Sequence, residues 1–196
     1  MAVSGPLQLR RSSAVLESIA AEVRACRLCP LANGRANAVP GEGPSNARIV
    51  IVGEGPGREE DNSGRPFVGR AGKLLTRVLE SAGLSRDEAF VTNVVKCRPP
   101  ANRQPTRRER ETCRDAYLIR QVEVIEPSLV VLLGRTAAQA ILGADSLKKV
   151  RGRVIRQGSV EYLCTYHPAA LLRNPRLKGT FTKDLGVLRR IAAKPI

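Results

Sequence analysis

Four cysteines have the spacing of a site for a metal ion or an iron-sulfur cluster. Cys26 and Cys29 form a close Cys-x-x-Cys pair, 67 residues separate Cys29 from Cys97, and 15 more separate Cys97 from Cys113. Structural zinc sites usually gather ligands as two close pairs, whereas a cubane cluster takes four thiolates from distant parts of a fold. The spacing favours the cluster but leaves both open, as well as ordinary buried cysteines. The fifth thiol, Cys164, lies in an apolar run and is predicted to be a core residue of a strand.

A second group of polar residues follows the apolar runs that predict strands. Glu54 lies in the segment Gly53-Glu54-Gly55-Pro56-Gly57, Asn93 comes late in the next run, and His167 is the only histidine. Ligands bind at the carboxyl ends of strands in parallel α/β sheets, so these three side chains are expected to converge. The segment lacks the GxGxxG pattern of a dinucleotide site and the GK[ST] ending of a phosphate loop. The alternatives are a solvent-facing Glu54, a turn-capping Asn93 and a core His167.

Alternating apolar runs and helical patterns predict the elements that position these residues. Strands are expected at 48–52, 89–95, 129–133 and 162–165. Helices are expected from about residue 12 to the first cysteines, around 74–79, from about 106, at 136–142 and at 183–192. This alternation predicts a largely parallel sheet with helices on both faces, a three-layer α/β/α sandwich.

Length, charge and composition restrict the class of protein further. One domain is expected over residues 12–196, preceded by a short, disordered basic arm over residues 1–11. No apolar signal core or membrane-spanning run is evident in the sequence, so a cytoplasmic protein is expected. The 33 Lys and Arg against 18 Asp and Glu leave a net charge of +15, which favours nucleic acid as the partner. Three Phe, three Tyr and no Trp argue against a broad stacking platform for single strands.

Several longer segments resemble one known family. They are the glycine segment with Glu59-Glu60-Asp61, GRPFVGRAG at 64–72, TNVVKCRPP at 92–100, YHPA at 166–169 and LLRNP at 171–175. In this order they are similar to the iron-sulfur, family 4 uracil-DNA glycosylases of thermophilic bacteria and archaea. The resemblance implies a four-stranded parallel sheet between helices and base excision repair of uracil in DNA. It also implies a four-iron four-sulfur cluster held by Cys26, Cys29, Cys97 and Cys113.

The resemblance also implies roles for residues of the site. Glu54 and His167 are the expected catalytic residues: Glu54 near the cationic sugar and the attacking water, His167 donating to O2 of the departing uracil. Asn93 is expected to read O4 and N3–H, Phe67 to stack on the base, and Glu60 to exclude the methyl group of thymine. The expected uracil-binding residues are Glu54, Gly55, Glu60, Phe67, Asn93 and His167.

Contacts with DNA are expected from the segment that follows His167. A base inside a duplex is inaccessible, so the enzyme must extrude it. Leu171 or Leu172 is expected to fill the vacated stack, and Arg173 to bind phosphate. Uracil-containing DNA, single- or double-stranded, is therefore the expected partner. A replication clamp is a further candidate partner, and a monomer is the expected state.

Two other classes of function stay open at this point. One is a non-catalytic iron-sulfur protein that docks on DNA or assists a polymerase, against which the complete set of Glu54, Asn93 and His167 argues. The other is a glycosylase for hypoxanthine, hydroxymethyluracil or ethenocytosine, whose relatives tend to carry an apolar residue where Glu54 stands. Two positions depart from the family pattern: Arg58 adds a positive charge near Glu54, and Ala170 replaces an aromatic or polar residue.

Overall fold

A five-stranded sheet forms the centre of the computed structural model, which describes residues 6–188. The strands are β1 (Ile49–Gly53), β2 (Ala89–Asn93), β3 (Leu129–Leu133), β4 (Val154–Gln157) and β5 (Val160–Thr165). They lie in the order β2-β1-β3-β5-β4. β1, β2, β3 and β5 are parallel, and β4 runs antiparallel to β5. The four parallel strands are the ones that the sequence predicts.

Helices cover both faces of this sheet. In the described residues they are α1 (Pro6–Ala25), α2 (Arg58–Ser63), α3 (Arg70–Ser81), α4 (Arg107–Cys113), α5 (Ile119–Ile125), α6 (Arg135–Leu142), α7 (Leu147–Val150), α8 (Pro168–Arg173) and α9 (Lys178–Leu185). A π-helical turn at Arg114–Leu118 joins α4 to α5. Within residues 6–188, no helix combines the length and the apolar character needed to cross a membrane.

Strand side chains alternate between the two helical layers. Val50 and Val52 of β1 pack in a core shared with α1, α5 and α6, whereas Ile49 and Ile51 pack in a core shared with α3, α8 and α9. All residues of β1, β2 and β3 are buried. Burial on both faces explains why continuous apolar runs, rather than alternating patterns, mark these strands. The two cores confirm the predicted three-layer α/β/α sandwich.

The predicted sheet of four strands is one strand short, because β4 is missing from the prediction. β4 is an edge strand with mostly exposed residues, so it carries no apolar run. A two-residue turn joins it to β5, where Gln157 pairs with Val160 and Gly158 has φ of 61°. A Gly-Ser pair between two short runs is a hairpin signal that identifies this strand.

The two chain ends also differ from expectation. α1 begins at Pro6, so the predicted disordered arm over residues 1–11 is wrong for residues 6–11, and residues 1–5 lie outside the described part. α9 begins at Lys178, earlier than the helix predicted at 183–192, of which residues 189–192 lie outside the described part. Both helices extend through polar residues, where apolar spacing gives no signal.

Candidate active site

A cleft of about 380 Å³ opens at the carboxyl ends of β1, β2 and β5. Its walls come from segments far apart in the sequence: the glycine segment, the loop before α3, the loop after β2, and the start of α8. All six predicted uracil-binding residues line the cleft, and so does one of the three predicted DNA-contacting residues: Glu54, Gly55, Glu60, Phe67, Asn93, His167 and Arg173. The prediction that the strand ends bring Glu54, Asn93 and His167 together is therefore confirmed.

Strand register places Glu54 beside Asn93. Gly53, the last residue of β1, pairs with Asn93, the last residue of β2. Beyond this pair, the N–H of Val95 donates to the carbonyl oxygen of Glu54 at 3.1 Å. A Cβ on Gly55 would lie 2.6 Å from Cγ2 of Val95, so this position has room only for glycine. The glycine segment thus runs close against the chain that leaves β2.

His167 is held as a neutral imidazole. It is the residue before α8, and its Nδ1 accepts a hydrogen bond from the N–H of Ala169 at 3.2 Å. Burial, assisted by the nearby positive charge of Arg173, lowers the pKa of His167 to about 4. Because Nδ1 is an acceptor, the proton of the neutral ring lies on Nε2, which is left as a hydrogen-bond donor.

Asn93 presents a buried acceptor without a partner. Its side chain is 1% exposed, and its Oδ1 has no hydrogen-bond partner among the described residues. A Cβ on Gly53 would lie 2.3 Å from this oxygen and 2.4 Å from Cζ of Phe67, so glycine is required for both side chains to fit. Leaving a buried acceptor unpaired costs about 1–3 kcal/mol, which a ligand N–H recovers. The cleft is therefore prepared for a ligand that donates at this point.

Phe67 forms a wall of the cleft in a strained conformation. Its φ is 53°, unusual for a residue other than glycine, and its ring centroid lies 5.8 Å from that of His167. Two residues to which the sequence analysis assigns no role shape its backbone. A Cβ on Gly72 would lie 1.7 Å from the Phe67 carbonyl oxygen, and Arg86 Nη2 donates to the Pro66 carbonyl oxygen at 2.6 Å. Glu42 fixes that guanidinium through a 2.8 Å ion pair.

Glu60 ties two walls of the cleft together. Its Oε1 accepts from the N–H of Gly69 at 2.8 Å, and its Oε2 accepts from the N–H of Gly57 at 3.1 Å. Glu60 is 8% exposed. Its two hydrogen bonds hold the glycine segment against the loop that carries Phe67. Gly57 precedes α2, and Glu60 lies three residues after Gly57. This is the spacing of the glutamate in a capping box, and it is the sequence signal for the contact with Gly57.

The carboxylate of Glu54 has a partner that sequence reasoning missed. Thr136, in the first turn of α6, donates from its hydroxyl to Oε2 of Glu54. The sequence signal for this contact is indirect. Gly134 follows the last residue of β3 and precedes α6, so the first turn of α6 lies at the same edge of the sheet as Glu54. Gly134 has φ of 88° and approaches His167 so closely that a Cβ would lie 3.0 Å from its Cβ.

The two leucines predicted to contact DNA have different surroundings. Leu171 is 3% exposed and packs in the core under α8, which disfavours it as the leucine that contacts DNA. Leu172 is 40% exposed at the surface of the same helix. Successive helical residues point about 100° apart, which explains why only one of the pair faces the core.

The core shared by α1, α5 and α6 includes or borders the four cysteines of the predicted cluster, Cys26, Cys29, Cys97 and Cys113. Burial, with a smaller contribution from the charges of Cys97 and Cys29, raises the pKa of Cys113 to about 12 against the lowering effect of Lys96. Burial likewise raises the pKa of Cys97, on which Cys29 and Cys26 also act. Because these interactions link all four thiols, the structure brings together the residues that the spacing suggests. Cys164 is buried apart in β5, as predicted for a core residue.

Hydrogen-bond donors surround these sulfurs. Arg35 Nη1 donates to Cys97 Sγ at 2.9 Å, and the N–H groups of Lys96 and Leu28 point to Cys113 Sγ at 3.3 Å and Cys26 Sγ at 3.4 Å. Within residues 6–188, no three His, Cys, Asp or Glu side chains are close enough to share a single metal ion. Four thiols with N–H donors directed at three of their sulfurs form a donor set whose chemistry suits an iron-sulfur cluster.

Fold and cleft together define a three-layer α/β/α protein with a ligand site at the carboxyl edge of a parallel sheet. A family model described as the uracil DNA glycosylase superfamily matches residues 40–186, and the chain belongs to this superfamily. The matched residues include the whole cleft and two of the four cysteines of the predicted cluster, Cys97 and Cys113.

Curated relatives cover most of the chain. It is 46% identical over 188 residues to the type-4 uracil-DNA glycosylase of Archaeoglobus fulgidus, and the aligned region covers 91% of this chain and 94% of that protein. It is 47% identical over 174 residues to the type-4 enzyme of Pyrobaculum aerophilum (84% and 88%). It is also 47% identical over 163 residues to the type-4 enzyme of Thermotoga maritima (82% and 84%). These matches confirm the resemblance to family 4 drawn from the motifs.

Proposed function

We propose that this chain is a DNA repair glycosylase that removes uracil from DNA by hydrolysis. The bond between N1 of the base and C1′ of the sugar breaks, the oxygen of water bonds to C1′, and the base leaves as neutral uracil after taking a proton. An abasic site remains. The unpaired acceptor of Asn93, in one cleft with Glu54 and a neutral His167, carries this proposal.

Base recognition rests on the amide of Asn93. Its Oδ1 accepts from N3–H of uracil, and its Nδ2 donates to O4. Cytosine offers an acceptor at N3 and an amino group at C4, so both contacts would face a group of the same kind. The Oδ1 acceptor would then stay unpaired in a buried site, which is how a polar site rejects the wrong ligand strongly.

Bond cleavage places negative charge on the base and positive charge on the sugar. Nε2–H of His167 donates to O2 of the base, a bond that strengthens as the departing uracil becomes anionic. The carboxylate of Glu54 stabilises the cationic sugar and orients the attacking water or accepts its proton. The glycosidase pair of carboxylates is an analogy for this charge pattern only.

DNA binding follows from the rim of the cleft and from the charge of the chain. The extruded base stacks on Phe67, which its strained loop holds in place. Leu172, the exposed leucine of α8, fills the vacated stack, and Arg173 at the cleft pairs with phosphate. A net charge of +15 supports association with a polyanion in either strand form.

Cys26, Cys29, Cys97 and Cys113 hold a four-iron four-sulfur cluster in this proposal. When bound, the cluster supplies a structural cross-link between the end of α1, the chain that leaves β2 and the end of α4. The segment between Cys97 and Cys113 contributes Pro99, Asn102 and Arg103 to the cleft. The cross-link therefore orders a wall of the site and has no step in the chemistry.

A single-turnover assay tests the proposal. Excess protein is mixed with oligonucleotides that carry one uracil, thymine or hypoxanthine, and alkali-labile abasic sites are scored. We expect abasic sites at uracil alone, and Glu54→Ala is expected to slow their formation at least about 100-fold. Tight, salt-sensitive binding without an abasic product on any base would instead support the docking protein, and cleavage at hypoxanthine would support the broader glycosylase.

A further inference from the structure

We infer that Thr136 and Gln104 are positioning residues for the carboxylate of Glu54, an inference that rests on the proposed role of Glu54. Glu54 stands between two glycines, so neither neighbour in the sequence has a side chain that could hold its carboxylate. Among the described residues, Thr136 is the partner that the structure gives to this carboxylate. Thr136 is 2% exposed, and hydrogen bonds with Gln104 and Glu54 hold its hydroxyl in one direction.

Gln104 determines where the hydroxyl proton of Thr136 points. Nε2 of Gln104 donates to Oγ1 of Thr136 at 2.9 Å, so the single proton of that hydroxyl is directed to Glu54. Nη2 of Arg135 donates to Oε1 of Gln104 at 3.3 Å, which fixes the orientation of the amide. Donation therefore runs in one direction, from Arg135 through Gln104 and Thr136 to one carboxylate oxygen, and each bond polarises the next.

The segment that carries Gln104 is itself fixed to α4. Arg103 makes two hydrogen bonds to the buried carboxylate of Glu109, at 2.8 and 2.7 Å, and the N–H of Thr106 donates to the same carboxylate at 2.7 Å. The side-chain hydrogen bond from Arg103 lowers the pKa of Glu109 to about 2. α4 ends at Cys113. A continuous series of contacts thus links the segment between Cys97 and Cys113 to the carboxylate of Glu54.

A pair of substitutions at Thr136 separates positioning from packing. Thr136→Val keeps the shape and removes the hydroxyl, whereas Thr136→Ser keeps the hydroxyl. We expect Thr136→Val to slow single-turnover uracil release about 10- to 100-fold and to change the dissociation constant for uracil-containing DNA by less than about 2-fold. Thr136→Ser should return to within about 3-fold of the wild-type rate.

Gln104→Leu tests the outer contact, with Gln139→Leu as its control. Gln139 is an exposed glutamine on α6, so the two variants make the same chemical change. We expect Gln104→Leu to slow uracil release about 3- to 10-fold, less than Thr136→Val because it acts through one more bond. Gln139→Leu should keep the wild-type rate. Iron-sulfur absorbance and the midpoint of thermal unfolding are measured on each variant, and we expect Thr136→Val to retain the absorbance.

The outcomes distinguish this inference from the proposed function. A Thr136→Val protein with the rate of the wild type, or a Thr136→Ser protein as slow as Thr136→Val, would overturn the inference while active wild type upholds the glycosylase. A rate lost only in proportion to lost cluster absorbance would also overturn it. Wild-type protein that releases no uracil would overturn both.

Discussion

Titration of the single histidine tests the electrostatics of the cleft directly. His167 is the only histidine in the sequence, so one imidazole resonance reports its protonation in the intact protein. Burial and Arg173 lower the pKa of His167 from 6.5 to about 4. A difference of this size favours the neutral ring in the folded protein by about 3 kcal/mol. The imidazole should therefore stay neutral throughout the range from pH 8 to about pH 5.

The same shift predicts a pH dependence of stability with a defined sign. Because the folded pKa lies below the unfolded value, the unfolded chain takes up the proton first as the pH falls. The stabilisation is complete above about pH 6.5 and is lost between about pH 6.5 and 4. His167→Asn removes this titration. The free energy of unfolding of the wild type, minus that of His167→Asn, should fall by up to about 3 kcal/mol across this window in urea titrations.

Arg173→Gln separates the two causes of the shift. Removing the positive charge should raise the pKa of His167, but burial is the larger cause, so the value should stay below 6.5. Arg176→Gln is the control, because Arg176 lies outside the cleft. Imidazole proton shifts are followed from pH 8 downward, and circular dichroism confirms that the chain stays folded. A folded wild type that titrates near pH 6.5, or equal shifts in both variants, would refute the reasoning.

Two further pairs of substitutions test the loop that carries Phe67 and the two leucines of α8. Arg86→Ala frees the loop that carries Phe67 and should weaken binding of uracil-containing DNA about 10-fold, whereas Arg65→Ala, which also loses an ion pair to the same glutamate, should not. Unchanged affinity in both would contradict this. Leu171→Ala should lower the free energy of unfolding by about 2–5 kcal/mol, while Leu172→Ala should change it by less than about 1 kcal/mol and slow uracil release from duplex but not from single strands. Equal losses of stability would be inconsistent with the burial.

The parts of the fold that the sequence predicts are those with a continuous apolar signal. The runs at Ile49–Gly53 and Leu129–Leu133 are buried on both faces, and few other elements produce such runs. Convergence of Glu54, Asn93 and His167 follows from a rule of parallel sheets that needs no side-chain detail. The edge strand Val154–Gln157 carries no such signal, because most of its residues face solvent.

The parts of the site that sequence reasoning misses depend on hydrogen bonds between distant segments. Thr136 reaches Glu54 across 82 positions of the chain, and Arg86 reaches the Pro66 carbonyl across 20. A threonine at the start of a helix or an arginine near a turn has many ordinary uses, so residue type alone does not single out either contact. The positive φ of Phe67 is likewise a product of tertiary packing, since Gly72 leaves the space for its carbonyl.

Selecting uracil over cytosine and over thymine requires two different interactions in this cleft. In the proposed function, the free acceptor of Asn93 separates uracil from cytosine, because cytosine would leave a buried oxygen unpaired at a cost of about 1–3 kcal/mol. Thymine presents the same O4 and N3–H as uracil, so the amide cannot distinguish them. Rejection of thymine must act on its methyl group, and a flexible apolar wall rejects a methyl group weakly. We propose that Glu60 supplies a stiffer wall, because both of its carboxylate oxygens are held by backbone N–H groups and cannot swing aside without breaking those bonds.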